Sequence, residues 1–235
     1  MRKKFDLILL IVFTISCMDL NPIDNSNIKQ DISISLILVY PQRRQTATIT
    51  YLHAKEEFGM APIFVDSAVL KVNNTNFRNT LNDSLKLNRF CLENPINLKK
   101  CYNYYTDNLL IKSGEKYKLT FKYKNITISG ETIVPDVFKI FITGRRIFWT
   151  KNENACLFRI TITQKENNIV YEGTTEKYTM ELDNEKFSKG NYKIKIEAID
   201  KNFYDFITNN EVHSGMNNGF GIFGSVTIMK KEFTL

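Results

Sequence analysis

The residues of this 235-residue chain that could perform acid–base or metal chemistry are few and scattered. It contains two histidines, His53 and His213, and neither sits in a recognisable catalytic or metal-binding motif. The carboxylate pair Glu56–Glu57 lies in a predicted loop, where we expect it to face solvent. No C-x-x-C pair or histidine cluster occurs, so zinc and thioredoxin-type chemistry have no support. We therefore expect no catalytic residue, no metal site and no cofactor.

One glycine pattern, from Gly219 to Gly224, formally matches the dinucleotide-binding motif G-x-G-x-x-G. A dinucleotide site needs a strand before the pattern and a helix after it, within a βαβ unit. Here the residues after Gly224 read as a strand, from Ser225 to Met229. We interpret the pattern as a strand whose glycines allow a bulge or the close approach of another backbone.

Tyr102, Tyr104 and Tyr105 form the densest aromatic cluster outside the predicted strands. If the rings are exposed and coplanar, they form a candidate binding surface for a sugar or a protein partner. The alternative is that alternate rings pack into the core, while Lys99 and Lys100 keep the loop in water.

The cysteines suit an envelope protein without proving that location. Cys91 and Cys101 are ten residues apart in a turn-rich stretch, so an oxidising compartment would let them form a disulfide. Such a bond would contribute about 2–4 kcal/mol, and two unpaired thiols are the alternative. Cys156 lies in an apolar run and is predicted to be a buried core residue.

The amino terminus carries the clearest targeting signal. Arg2-Lys3-Lys4 precedes a short apolar run from Leu7 to Phe13, which is too short to span a bilayer and is typical of a secretory signal. The run ends in Thr14-Ile15-Ser16-Cys17, which resembles the lipobox of bacterial lipoproteins. That resemblance implies cleavage before Cys17 and acylation of its thiol and new amino group, and several acyl chains would hold the protein on a membrane. An ordinary signal peptide is the alternative.

The charge balance excludes one class of partner. The chain has 32 Lys+Arg and 25 Asp+Glu, a formal net charge of +7, part of which lies within residues 1–16. Many lysines alternate with apolar residues, as on the solvent face of a strand, and do not form a stripe. We therefore expect no nucleic-acid partner.

The dominant hydrophobic period from Asp31 onward is two, and turn residues interrupt it at short intervals. This pattern predicts an all-β protein with two consecutive antiparallel β-sandwich domains of the immunoglobulin or fibronectin type III kind. The predicted segments are a signal peptide (1–16), a lipidated tether (17–30), a first β-sandwich domain (31–135) and a fibronectin type III-like second domain (136–235).

Three aromatic residues are predicted to stabilise the interior of their own domain. Trp149, the only tryptophan, is expected between the two sheets of the second domain. Tyr192 follows Gly190 at the start of a strand, so we expect a tyrosine corner whose hydroxyl bonds the backbone near Phe187 or Ser188. Tyr117 lies in a similar segment of the first domain, Ser113–Leu119, and is assigned the same structural role. One helix is predicted, from Asp200 to Ile207.

Several stretches of the predicted mature chain resemble a known family. They are Asp66–Val72, Gly114–Leu119 with Ile128–Pro135, and Gly219–Ser225. They look like the Bacteroidota cell-envelope lipoproteins catalogued as domain of unknown function 4249. The resemblance implies an outer-membrane lipoprotein, on the periplasmic or cell-surface face, that accompanies a TonB-dependent receptor, and it implies no reaction.

The expected function is a non-enzymatic, lipid-anchored binding or assembly module of the bacterial envelope, with the membrane and an outer-membrane protein as partners. Function on such folds usually lies in loops that the scaffold positions. Two alternatives remain open. One is a glycan-binding accessory lipoprotein that uses the tyrosine cluster, and the other is an envelope hydrolase with a site between the domains.

Overall fold

The computed structural model describes residues 32–52, 64–65, 67–80, 102–164, 168–209 and 213–235. Within these ranges the chain is mostly β-sheet with one short helix, so the predicted all-β class is confirmed. No helix among the described residues is long and apolar enough to cross a membrane.

The strands before residue 135 are short or medium in length. They are β1 Ile32–Tyr40, β2 Gln45–Tyr51, β3 Val69–Val72, β4 Thr75–Asn76, β5 Arg78–Asn79, β6 Tyr104–Thr106, β7 Lys116–Tyr123 and β8 Ile126–Ile133.

The strands after residue 135 include the longest of the described chain. They are β9 Ile140–Thr143, β10 Arg146–Trp149, β11 Leu157–Gln164, β12 Asn168–Thr175, β13 Thr179–Glu181, β14 Asn191–Ile199, β15 His213–Ser214, β16 Met216–Asn217 and β17 Phe220–Thr234. The helix α1, Lys201–Thr208, follows β14.

One large sheet runs through both halves of the described chain. Its strand order is β12-β11-β14-β17-β1-β2-β6-β5, with β15 also paired to β17. The other two sheets are smaller, with the orders β16-β8-β7-β3-β4 and β13-β10-β9.

The long strand β17 joins the two halves of this sheet. Its first part is parallel to β1, from the pair Ser33–Phe220 to the pair Tyr40–Thr227. Its second part is antiparallel to β14, and that pairing ends at Asn191–Thr234. A single strand therefore contributes hydrogen bonds to both halves.

Two large apolar cores lie against the two ends of the shared sheet. The N-terminal core combines buried residues of the large sheet, such as Leu36, with those of the five-stranded sheet, such as Phe121. The C-terminal core combines residues of β11 and β14, such as Ile160 and Ile194, with Trp149 of the three-stranded sheet. Burial on one face explains why alternate residues of these strands are apolar.

The glycine pattern in β17 is a strand, as the sequence predicts. Gly221 has φ +98°, and a Cβ placed on it would lie 2.1 Å from the carbonyl oxygen of Ile34 in β1. Only glycine permits this approach of two backbones, because any other side chain would push the strands apart. The predicted close approach is confirmed, and the register with β1 continues through it without a bulge.

The predicted boundary near Pro135 lies in the connection between β8 and β9. Pro135 is buried, and its carbonyl oxygen accepts a hydrogen bond from the Thr227 hydroxyl of β17. The division into 31–135 and 136–235 stays a prediction. The structure adds that residues on the C-terminal side, including Met216 and Phe223, pack into the N-terminal core.

Candidate functional site

A group of buried polar residues, Thr132, Asp200 and Ser225, lies where the two halves meet. A cleft of about 290 Å³ opens there, and Thr132 of β8, Cys156 and the start of α1 line it. We call it the junction cleft. Its most buried charged residue is Asp200, whose side chain is only 3% exposed.

Asp200 is positioned by the chain reversal between β14 and α1. Its backbone N–H donates to the Ser225 carbonyl of β17 at 3.1 Å, which fixes the last residue before the helix. Its side chain accepts from the Phe203 N–H at 2.9 Å, so Asp200 is the N-cap of α1. Aspartate suits this position because its carboxylate satisfies an N–H that has no partner inside the helix.

The second carboxylate oxygen of Asp200 joins a buried hydroxyl network. The Thr132 hydroxyl donates to this oxygen, and the Ser225 hydroxyl lies 3.2 Å from that of Thr132. Ser225 also donates to the Ile133 carbonyl at 3.0 Å. Strands β8 and β17 and helix α1 are thus tied together through one carboxylate.

The electrostatics of Asp200 follow from this burial. Desolvation raises the pKa of its carboxyl, while hydrogen bonds from Thr132, Phe203 and Ser225 partly oppose the rise. A carboxyl with a raised pKa is a candidate general acid. Here both of its oxygens already accept hydrogen bonds from the protein, so its geometry is that of a structural residue.

Cys156 is the one free cysteine among the described residues, and it is half-buried. Burial raises the pKa of its thiol. A raised pKa reduces the thiolate fraction at neutral pH, so this thiol is a poor nucleophile. The expectation of a buried core cysteine is corrected, since Cys156 is only half-buried and lines the junction cleft.

The remaining charges of the junction cleft form ion pairs. Lys116 lies 3.1 Å from Glu131 across β7 and β8, and Lys201 pairs with Asp205 one turn further along α1. The lowered pKa of Glu131 is caused chiefly by its hydrogen bonds with Lys116 and Lys118. The arrangement can stabilise the junction, and among the described residues no group of three or more metal-ligating side chains occurs.

The tyrosine cluster is not an exposed platform. Tyr104 is fully buried and Tyr105 is 8% exposed, while Tyr102 meets Tyr105 edge to face at an interplanar angle of 65°. The hypothesis of a coplanar, solvent-exposed surface is therefore wrong for these rings. The reason is that Tyr104 packs into the N-terminal core, where its hydroxyl donates to the Val65 carbonyl at 3.2 Å.

The three predicted structural aromatics lie in the two cores. Trp149 is 3% exposed and contacts Phe158 edge to face, with ring centroids 5.4 Å apart. The Tyr192 hydroxyl donates to the Ser188 carbonyl at 2.8 Å, which is the hydrogen bond expected of the tyrosine corner. The Tyr117 hydroxyl accepts from the Lys112 N–H at 2.8 Å and donates to the Leu110 carbonyl at 3.3 Å.

The other predicted site residues are Cys17, Cys91, Cys101 and His53. They lie outside the described residues, so acylation and the disulfide stay predictions. His213 is exposed on β15.

The sequence reasoning missed the network around Asp200. One signal was present, because Asp200 is at the start of the predicted helix and aspartate is a common N-cap. The partners Thr132 and Ser225 carry no such signal, since they reach Asp200 only through the folded sheet. No protein-family model matches this chain, and no curated protein matches it.

Proposed function

We propose that this chain is a lipid-anchored, non-enzymatic binding or assembly module of the bacterial envelope, built from two β-sandwiches and accessory to an outer-membrane protein. The observation that carries the proposal is the amino-terminal pattern, a basic segment and a short apolar run ending at Cys17. The proposal includes the resemblance to the family of unknown function 4249, which rests on short motifs.

The strand order supports a fibronectin type III-like second half. Strands β9, β10 and β13 form one sheet, while β11, β14 and β17 neighbour one another in the other. These correspond in order to strands A, B and E opposite C, F and G of such sandwiches. In this correspondence Tyr192 lies at the start of strand F, where a tyrosine corner belongs.

The position of β1 supports an anchored module. β1 begins at Ile32, so 14 residues (18 to 31) separate it from Cys17. A chain of that length reaches at most about 50 Å. Because β17 is parallel to β1 and continues beyond it, the C-terminal core lies at the end of the sheet away from the tether.

The junction cleft favours a structural role over hydrolysis. Its carboxylate caps a helix, its thiol is poorly ionised, and its surface charges are paired. The buried tyrosines Tyr104 and Tyr105 leave the glycan-binding alternative without the surface that motivated it.

The test is expression of the full chain with Cys17→Ala in a Gram-negative host, with Cys156→Ala as the matched cysteine control. We expect Cys17→Ala to abolish palmitate incorporation and either to release the protein from the membrane fraction or to leave it unprocessed. Cys156→Ala should behave like the parent. A Cys17→Ala protein that still matures and partitions with the membrane contradicts the proposal.

A further inference from the structure

The second part of β17 has a free edge. β1 ends at Tyr40, opposite Thr227, and among the described strands none covers that side of β17 from Ile228 onward. Gly190 and Leu235 exchange two backbone hydrogen bonds. Because hydrogen-bonded pairs alternate along an antiparallel ladder, the backbone N–H and C=O groups of Phe233 and Lys231 also point toward β14.

The intervening residues present their backbone groups to the free side. They are Lys230, Glu232 and Thr234, whose N–H and C=O groups point away from β14 by the same alternation. A row of unpaired N–H and C=O groups of this kind is a template for another strand.

An open groove of about 530 Å³ lies beside this edge, between β17 and the turn after β9. Its apolar lining consists of Ile142, Phe233 and Leu235, which are partly buried against the C-terminal core. The groove therefore offers apolar contacts together with the backbone groups of the edge.

Three cations surround the groove: Arg145, Lys189 and Lys231. Arg145 donates to the Phe187 carbonyl at 3.0 Å, and Lys231 donates to the Ile140 carbonyl at 2.9 Å. Within the described chain none of the three forms an ion pair with a carboxylate. The positive charges of Arg145 and Lys231 are therefore held in place without being neutralised.

We propose that an extended, acidic segment of a partner protein binds here by adding a strand to the free edge of β17. The edge would supply main-chain hydrogen bonds. Every second side chain of the segment would face the groove, and these would include apolar residues that contact Ile142, Phe233 and Leu235 and acidic residues that meet the three cations. This inference rests on the proposed function and names the kind of partner that the module would bind.

The location of the groove favours a protein over a lipid of the anchoring membrane. From Phe220, beside the start of β1, to Lys231 the strand advances 11 residues, or about 36 Å. The groove thus lies well away from the end of the sheet where the tether enters. Lys189 and Lys231 would repel a basic strand, so the groove would bind acidic segments in preference to basic ones.

The test measures binding of a fluorescent, end-capped peptide of about eight residues, a typical strand length. Threonine occupies every second position, and the positions between alternate glutamate with valine, so that both glutamate and valine face the groove. The full chain is used in detergent micelles. One control peptide replaces glutamate with lysine, and the other keeps the glutamates and valines but replaces the threonines with proline. We expect the first peptide to bind, the lysine peptide and the proline peptide to fail, and added salt to weaken binding.

Matched variants locate the site. Lys231 lies beside Ile194 on the core side of β17, whereas Lys230 lies beside Lys195 on the opposite face. Lys231→Glu should weaken binding about tenfold or more, while Lys230→Glu, with the same change in charge, should change it less than about threefold. Glu232→Pro removes an N–H on the free edge and should abolish binding, whereas Glu232→Ala should preserve it.

Each variant is first checked by circular dichroism, and Lys189→Glu, on an exposed turn, replaces Lys231→Glu if the latter fails to fold. The inference is overturned if the acidic peptide does not bind or if the proline peptide binds equally well. It is also overturned if Lys230→Glu and Lys231→Glu have equal effects. Those results would leave the Cys17-dependent anchoring intact, so the two proposals fail separately.

Discussion

Each half of this chain contains a buried tyrosine whose hydroxyl bonds the backbone of the preceding loop, but the surroundings of the two tyrosines differ. In the C-terminal half the Tyr192 hydroxyl holds one carbonyl, that of Ser188, and its ring stacks on Phe233 with centroids 5.5 Å apart. In the N-terminal half the Tyr117 hydroxyl holds two backbone groups of the preceding loop, those of Leu110 and Lys112. A similar short sequence thus buries a tyrosine ring in each half. The loop that precedes the strand determines how many hydrogen bonds the tyrosine hydroxyl makes.

The two halves are also joined by β17. Its first part contributes Phe223 to the N-terminal core, and its second part pairs with β14 above the C-terminal core. A strand shared in this way should couple the stability of the two cores.

The largest effect is expected from Gly221→Ala. The new Cβ would lie 2.1 Å from the Ile34 carbonyl oxygen at a positive φ, so β1 and β17 must separate. We expect a loss of about 4 kcal/mol or more in the free energy of unfolding. Urea unfolding followed by the fluorescence of Trp149 is the measurement, since it reports on the other core.

The control for this prediction is Gly144→Ala. Gly144 also has a positive φ, at +58°, but a Cβ there would meet nothing within 4 Å. It should cost only about 1–2 kcal/mol, the penalty of a left-handed backbone. If the two variants unfold alike, or if Gly221→Ala leaves the Trp149 transition unchanged, the halves are not coupled through β17.

The next effect concerns Tyr192→Ala. It removes a ring that is 3% exposed and packs against Phe187 and Phe233, so it should cost about 3–5 kcal/mol. The measurement is urea unfolding of the full chain by circular dichroism. A cost below about 1 kcal/mol, well under the range for core truncations, would contradict the burial of this ring.

The individual strands were predictable because their local pattern is strong. The period of two in the sequence predicts strands at Arg146–Trp149 and Thr46–Leu52. The observed β10 has the first of these bounds, and the observed β2, Gln45–Tyr51, is displaced by one residue from the second. In both segments alternate side chains are buried, which is the physical origin of the period of two. Tyr192 was predictable for a similar reason, since its partner is four residues away.

Features that depend on distant contacts were not predictable. The last strand was expected to end at Met229, but it continues to Thr234 because β14 pairs with its polar end. The parallel pairing of β17 with β1 was not predictable either, because no local sequence pattern identifies the partner of a strand. The burial of Tyr104 also depends on neighbouring strands, and aromatic density alone does not separate a core from a binding surface.

A smaller difference is expected between two hydroxyl deletions. Tyr192→Phe loses one hydrogen bond and should cost about 0.5–1.5 kcal/mol, while Tyr117→Phe loses two and should cost up to about twice as much. The free energies of unfolding are compared under identical conditions. Equal costs, or a larger cost for Tyr192→Phe, would show that the second hydrogen bond of Tyr117 adds nothing.

The effect most sensitive to pH is expected at Asp200, between the two halves. Burial is the main cause of its raised pKa, so the native chain holds a proton there more tightly than the unfolded chain does. This carboxyl therefore lowers the free energy of unfolding as pH rises from its ordinary value of 3.8 through the raised folded pKa. Asparagine caps a helix equally well, can meet the Thr132 hydroxyl through its amide, and does not titrate.

Relative to the parent, Asp200→Asn should thus gain stability as pH rises through that interval, whereas Asp200→Ala loses the cap and should cost about 0.5–2 kcal/mol. Urea unfolding at a series of pH values, with both variants beside the parent, gives the measurement. A difference between Asp200→Asn and the parent that stays constant or reverses with pH would mean that the pKa of this carboxyl is not raised. In that case the hydrogen bonds from Thr132, Phe203 and Ser225 outweigh the cost of burial, and the junction favours a charged Asp200.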